Sequence, residues 1–143
     1  MIRVGMGYDV HQLVKGRELW MGGIRLEHEF GLLGHSDADV LIHAICDAIL
    51  GAANMRDIGY HFPDTSAETD GMDSKIILKK TIELIATKGY QLVNIVSHEV
   101  ALRIHNEALI LQERRTDIHR YILAQEPFLH LFISPTVRRI HGS

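Results

Sequence analysis

Residues 31–53 read GLLGHSDADVLIHAICDAILGAA. Apolar residues recur there at helical spacing from about Ala38 to Leu50. Ser36 or Asp37 can cap the start, and Gly51 lies near the end, where a left-handed closing residue is least costly. Asp39, His43 and Asp47 stand at i, i+4 and i+8 and so share one stripe of this helix. His35 and His43 bracket its first turns.

On the N-terminal side, Met1 to Val10 alternates around Ile2, Val4, Met6 and Tyr8, the period of a strand. LWMGGIRL, Leu19 to Leu26, holds two apolar runs split by Gly22-Gly23, a hairpin pattern. On the C-terminal side, Asn54 to Asp73 is rich in Asp, Gly, Pro and Thr and has no clear period; loops of such length commonly carry function. Ser74 caps a second helix, KIILKKTIELIATKG, with Gly89 as its stop, and Tyr90 to Ile95 reads as another strand. From about Val96 the character changes. Glu99 to Gln125 has mixed helical periodicity, and Phe128 to Ile133 reads as a short strand before Pro135.

The chain has 143 residues, a length that suits one domain with a single core, and 46% hydrophobic with 23% charged residues is ordinary for a globular protein. A formal charge of −3 and only 6% aromatic residues argue against a dedicated nucleic-acid surface. Phosphate recognition would then fall to metal, backbone amides and a few placed side chains. The single cysteine, Cys46, sits in the apolar helical run and reads as a buried structural thiol. No apolar stretch approaches the ~20 residues needed to span a bilayer, and the N-terminus lacks a signal-peptide pattern, so no membrane partner and a cytoplasmic location are expected.

Asp9 and His11 are two apart on the first strand, so their side chains leave one face as a two-point chelate. His35 or His43, facing that strand end, would complete a three-ligand N/N/O set, which suits zinc with a fourth position open. A core histidine satisfied by Asp39 or Asp47, with Asp9 capping a turn, is the alternative. GMGYDV has Gly5-x-Gly7 but Val10 where a third glycine belongs, so it is a poor dinucleotide fingerprint. Asp57-Ile58-Gly59 and Phe62-Pro63-Asp64-Thr65 read equally well as turn chemistry or as a grip on a polyol and a phosphate. His98, His105, His119, His130 and His141 share no metal spacing and read as surface histidines.

Together GYDVH (7–11), GLLGHSDADVLIHAICDAILGAA (31–53), DIG (57–59), HFPDT (61–65) and DSKIILKKTIELIATKGYQLVNI (73–95) resemble the 2-C-methyl-D-erythritol 2,4-cyclodiphosphate synthases, over about residues 1–95. The resemblance implies an α/β fold, a small mixed β-sheet with helices packed on one face, three copies assembling as a homotrimer. It implies that Asp9, His11 and His43 hold a divalent metal, zinc preferred, with a second ion, magnesium or manganese. His35 would stabilise the transition state. Asp9, His11, His35 and Ser36 would meet substrate, and Asp57, Ile58, Gly59, Phe62, Pro63, Asp64, Thr65 and Ser66 would hold its methylerythritol part. The implied reaction is a phosphorus–oxygen lyase step of the non-mevalonate isoprenoid route. In it the 2-phosphate of a cytidine-diphospho-methylerythritol attacks the β-phosphate, closes a cyclic diphosphate and expels CMP.

After residue 95 the family pattern is not legible. Ala101 and Arg103 fall in register, but Ile104 and His105 stand where Pro and Lys belong, and no Thr-Thr-Glu follows. The abrupt change reads as a replaced C-terminal third, such as a reading-frame change would leave, rather than gradual divergence. Two sheet strands and the cytidine pocket are therefore expected to be missing or replaced. A relative that kept the metal half and lost the cytidine half, and an unrelated metal-dependent phosphoesterase, are the competing readings.

Overall fold

A computed structural model describes residues 1–63, 71–100, 102–104, 107–109 and 128–140. The expected first strand is two: β1 (Ile2–Val4) and β2 (Gly7–Lys15), the second running past the expected end at Val10. Both lie on one edge of a long strand near the other end of the sequence, β9 (Phe128–Arg139). β1 pairs Ile2 with Arg138, and β2 pairs Gly7 with Ile133 through Gln12 with Phe128. β6 (Tyr90–Val100) takes the other edge of β9, and β5 (Phe30–Leu32) closes onto the end of β2.

The order is thus β6, β9, β1 with β2, then β5, and every pairing among the described residues is antiparallel. The expected small sheet with helices on it is present, and the mixture is of helix with sheet rather than of strand directions. β9 corrects two expectations. It runs through Pro135 instead of ending before it, and of the two alternatives for the C-terminal strands, missing or replaced, it rules out the first, since it fills the centre of the sheet. Proline has no N–H to give a central strand. Beside Pro135 the neighbouring edge is interrupted between β1 and β2, and Gly5 N still donates to the Pro135 carbonyl at 3.2 Å.

Leu19–Met21 and Ile24–Leu26 form the hairpin β3–β4, turning on Gly22 and Gly23 with φ of 62° and 79°. The first helix, α1, spans Val40–Ala52 and not Ala38 to Leu50. Its cap is Asp39, whose carboxylate accepts from Ile42 N; Gly51 is inside the helix, and Asn54 supplies the left-handed residue beyond it. α2 (Ile58–His61) is a single turn within the stretch read as loop. α3 (Ser74–Thr87) is capped by Asp73 rather than Ser74 and stops at Gly89, φ 74°. Where mixed helical periodicity was expected, Glu99 and Val100 finish β6, and β7 (Leu102–Ile104) pairs with β8 (Glu107–Leu109). Pairing with β9 outweighs a weak local pattern at Glu99 and Val100; residues 101, 105–106 and 110–125 lie outside the described residues.

α1 is the hub. Ala44 and Ala48 pack with Leu13, Leu19, Met21 and Leu32, while Ile49 and Ala52 pack with Ile85, Tyr90 and Val137. On a third side Ile42 and Cys46 meet Ile77 of α3. Each large apolar side chain so buried contributes roughly 1.5–3 kcal/mol. A Cβ on Gly5 would sit 2.0 Å from the Ala48 carbonyl oxygen, and one on Gly7 1.9 Å from that of Ala44. Two glycines facing an alanine stripe therefore let β2 lie directly on α1. Strand alternation then sends Asp9 and His11 toward the helix, and Ile2, Val4, Met6, Tyr8 and Val10 to the opposite, exposed face.

Candidate metal centre

Asp9 and His11 leave β2 on the face that meets α1, and His43 comes up from the first turn of that helix. Their ligand atoms form a small triangle: His11 Nε2 lies 3.0 Å and His43 Nδ1 3.2 Å from Asp9 Oδ2, with 3.3 Å between the two nitrogens. Ligands held at ~2.0–2.1 Å in a tetrahedron stand ~3.3–3.4 Å apart, so the donor set has the chemistry and nearly the spacing for one ion. Among the described residues this is the group of His, Cys, Asp and Glu side chains that converges in this way. The three side chains are 10–22% exposed, enough to leave one side open to solvent.

Backbone and neighbours aim these atoms. His11 Nδ1 is 2.8 Å from the Leu33 carbonyl. A carbonyl only accepts, so Nδ1 carries a proton and Nε2 is the nitrogen that would give its lone pair to an ion. A Cβ at Gly34 would press within 3.2 Å of the His11 ring, so a bare backbone there leaves room for it. Burial alone would raise the Asp9 carboxyl; hydrogen bonds to His11 and His43 and their charge outweigh it and hold the group well below the usual carboxylate range. Asp9 is therefore ionised at any physiological pH and acts as an acceptor only.

The YgbB family profile matches residues 2–126. The chain belongs to the YgbB family. The 2-C-methyl-D-erythritol 2,4-cyclodiphosphate synthases of Bacteroides fragilis and Parabacteroides distasonis are 79% and 71% identical to it over 94 residues. Those 94 residues are 66% of this chain, which spans 59% and 58% of the two relatives. A solved 2C-methyl-D-erythritol-2,4-cyclodiphosphate synthase superposes with a TM-score of 0.76 at 23% identity, over 95% of this chain and 100% of that one. The bifunctional IspDF of Campylobacter jejuni gives 0.78 at 24% identity, over 98% of this chain and 43% of that one. At such identities the superpositions speak for the fold, and they carry the YgbB architecture beyond residue 95.

The other residues singled out in this YgbB chain fall into three groups. His35 is exposed, its carbonyl accepting from Gly71 N at 2.9 Å. Ser36 is buried, and its hydroxyl stands 3.1 Å from His43 Nε2 while accepting from Ala38 N. Asp57 caps α2 by accepting from Tyr60 N at 2.8 Å; Ile58 and Gly59 lie in that turn, with Phe62 and Pro63 just after it. Asp64, Thr65 and Ser66 lie outside the described residues.

The carboxylates of Asp39 and Asp47, weighed as partners of the ligands, accept instead from backbone amides elsewhere. Asp39 accepts from Gly22 N and Gly23 N as well as Ile42 N, tying the β3–β4 turn to α1. Asp47 accepts from Ile58 N at 2.8 Å and so hangs α2 on α1. Besides Ser36, His43 is reached by Ser74 and through it Asp37, which are not evident in the sequence, where each reads as a helix cap. A left-handed Ala38, φ 57°, separates the two aspartates' directions: Asp37 turns toward α3 and Asp39 toward the hairpin.

Proposed function

We propose that this chain, as one domain over residues 1–143, converts 4-diphosphocytidyl-2-C-methyl-D-erythritol 2-phosphate to 2-C-methyl-D-erythritol 2,4-cyclodiphosphate and CMP. The observation that carries the reading is the Asp9, His11 and His43 triangle at an open surface, in a chain so close to relatives of that name. Two nitrogens and one carboxylate oxygen favour zinc. When bound there, the ion supplies Lewis-acid charge neutralisation and a template for phosphate oxygens.

The chain's own residues do the rest by placement. Asp9, His11 and His43 fix one vertex of the diphosphate, and the exposed His35 has the role of donating to it as negative charge builds. Asp57, at the cap of the α2 turn, with Ile58 and Gly59 holds the methylerythritol part of the substrate, and residues Phe62 to Ser66 share that role. The attacking group is already an anionic phosphate, so no general base is required and positioning supplies most of the rate. A homotrimer accounts for the second sheet face, where Ile2, Val4, Met6, Tyr8 and Val10 form an exposed apolar row that a lone chain would leave in water. No helix among the described residues is long and apolar enough to cross a membrane, and we place the enzyme in the cytoplasm.

The test supplies the diphosphocytidyl substrate with zinc and magnesium (then manganese) and follows CMP and the cyclic product by phosphorus NMR. Cyclic product with wild type and none with His43→Ala supports the reading. A linear hydrolysis product would instead mark a phosphoesterase. Zinc bound without turnover would mark a relative that lost its cytidine half, a reading favoured by the stop of close identity after 94 residues. Sedimentation of the trimer should report three times the 16.2 kDa of one chain.

A further inference from the structure

His43 faces the triangle with one nitrogen and the protein interior with the other. Its Nε2 lies 2.9 Å from Ser74 Oγ, at the first residue of α3. The Ser74 hydroxyl donates in turn to Asp37 Oδ1, a short contact, and Ser74 N donates to Asp37 Oδ2 at 2.9 Å. Asp39 N adds a third donor to the same carboxylate at 3.1 Å. Ser74 is fully buried and its side chain has no water to turn to. A carboxylate only accepts, so the Ser74 proton is committed to Asp37 and Ser74 Oγ presents a lone pair to His43.

We propose that Asp37 and Ser74 are positioning residues: a carboxylate–hydroxyl relay that keeps the proton on His43 Nε2 and so leaves Nδ1 bare for the ion. The relay rests on the metal reading above. Its parts come from three separate places, the turn before α1, the start of α3 and the body of α1. It therefore holds the ring's angle as well as its tautomer, since α3 cannot shift without dragging the acceptor. The start of α3 also favours the Asp37 charge, because the first amides of a helix are a natural seat for a carboxylate. His11 obtains the same result from a backbone carbonyl, which no side-chain substitution can remove. At His43 Nε2 the neighbours are side-chain hydroxyls, Ser74 at 2.9 Å with Asp37 behind it and Ser36 at 3.1 Å, and so the site is tunable there by substitution.

The test has two readouts that need no turnover: zinc affinity by competition with a chromogenic chelator, and the nitrogen-15 shifts of the His43 ring in the metal-free protein. Wild type should show a proton on Nε2, with Nδ1 facing the Asp9 carboxylate at 3.2 Å. Ser74→Ala should let the tautomers mix and weaken zinc about 10–100-fold, the usual effect of losing an outer partner of a metal ligand. Asp37→Asn is the second variant, and it keeps Ser74 in place. Its amide can donate to Ser74 Oγ, which turns the hydroxyl proton toward His43, favours the Nδ1–H tautomer and weakens zinc without touching a ligand. Ser74→Cys, which keeps the volume with a poor acceptor, should fall between wild type and Ser74→Ala. Wild-type affinity and an unchanged His43 tautomer in either Asp37→Asn or Ser74→Ala would overturn the relay. If wild type itself binds no zinc, the metal reading fails, while the ring shifts still decide the relay.

Discussion

Gly7→Ala tests whether close strand–helix contact builds the metal triangle. The new methyl would start 1.9 Å from the Ala44 carbonyl oxygen and 2.7 Å from Ala48 N, both backbone atoms of α1 that cannot rotate aside. Even a 3.0 Å contact requires β2 and α1 to part by about 1.1 Å. Asp9 and His11 travel with β2 and His43 with α1, so the 3.2 and 3.3 Å edges between them would open to more than 4 Å. Ligands at ~2.0–2.1 Å span only ~3.4 Å at a tetrahedral angle, so one ion could no longer hold all three. Overpacking of this kind costs about 1–3 kcal/mol in folding stability. Urea unfolding of the metal-free protein should show that loss, and chelator competition should show zinc affinity down at least 100-fold. Gly51→Ala is the control: nothing lies within 4 Å of its added methyl, and an alanine in a helix gains roughly 0.5–1 kcal/mol over glycine. A Gly7→Ala protein as stable and as tight for zinc as wild type would refute the reasoning.

Asp39→Ala removes a helix cap and leaves the Gly22 and Gly23 amides without their acceptor, so urea unfolding should show a loss of about 2–4 kcal/mol; a loss under 1 kcal/mol would mean the turn finds other partners. Burial raises the Asp47 carboxyl, with Asp9 and Asp57 adding to it against the Ile58 hydrogen bond. The fold therefore holds this proton more tightly than the unfolded chain does, and ionising the group costs stability as pH rises from near 4. Asp47→Asn keeps the acceptor for Ile58 and should gain on wild type between pH 4 and neutrality in paired urea titrations; a difference flat with pH would contradict this. Burial pushes the Cys46 thiol up to about 12, so a chromogenic disulfide should leave the folded protein unlabelled at pH 8 and take up one equivalent in urea. Rapid labelling of native protein would show that α1 opens.

The parts of the fold that were legible in the sequence are those whose cause is local. Gly22-Gly23 supplies the positive φ its turn needs, and the β3–β4 hairpin falls where the pattern placed it. Both long helices were found from apolar period, with starts displaced by a residue or two because Asp39 and Asp73, rather than their neighbours, turn a carboxylate onto the first amides. β9 was not legible at its true length. Its strand character comes from being paired on both edges by distant residues, and Pro135 reads locally as a stop.

The Asp-x-His chelate was legible for the same local reason, since a strand puts alternate side chains on one face. The third ligand was not fixed by spacing. His35 and His43 both bracket the helix start, and only the packing of Gly7 on Ala44 shows which one reaches Asp9. Asp37 and Ser74 are 37 positions apart and meet only because α3 begins beside the turn before α1. Nothing in either segment by itself announces that contact.

The central place of β9 also sets a timetable for the chain as it is made. β3–β4, the β2–β5 pairing and the α1–α3 contact join segments close in sequence and can form early. Ile2 must wait for Arg138, and Asp9 for Leu131. Until residues 128–139 emerge from the ribosome, the strand bearing Asp9 and His11 has one long edge without a partner. Non-local pairings of this kind slow folding and expose strand edges meanwhile. The triad is therefore among the last parts of the molecule to be organised, and an ion arriving earlier would meet only its separate pieces.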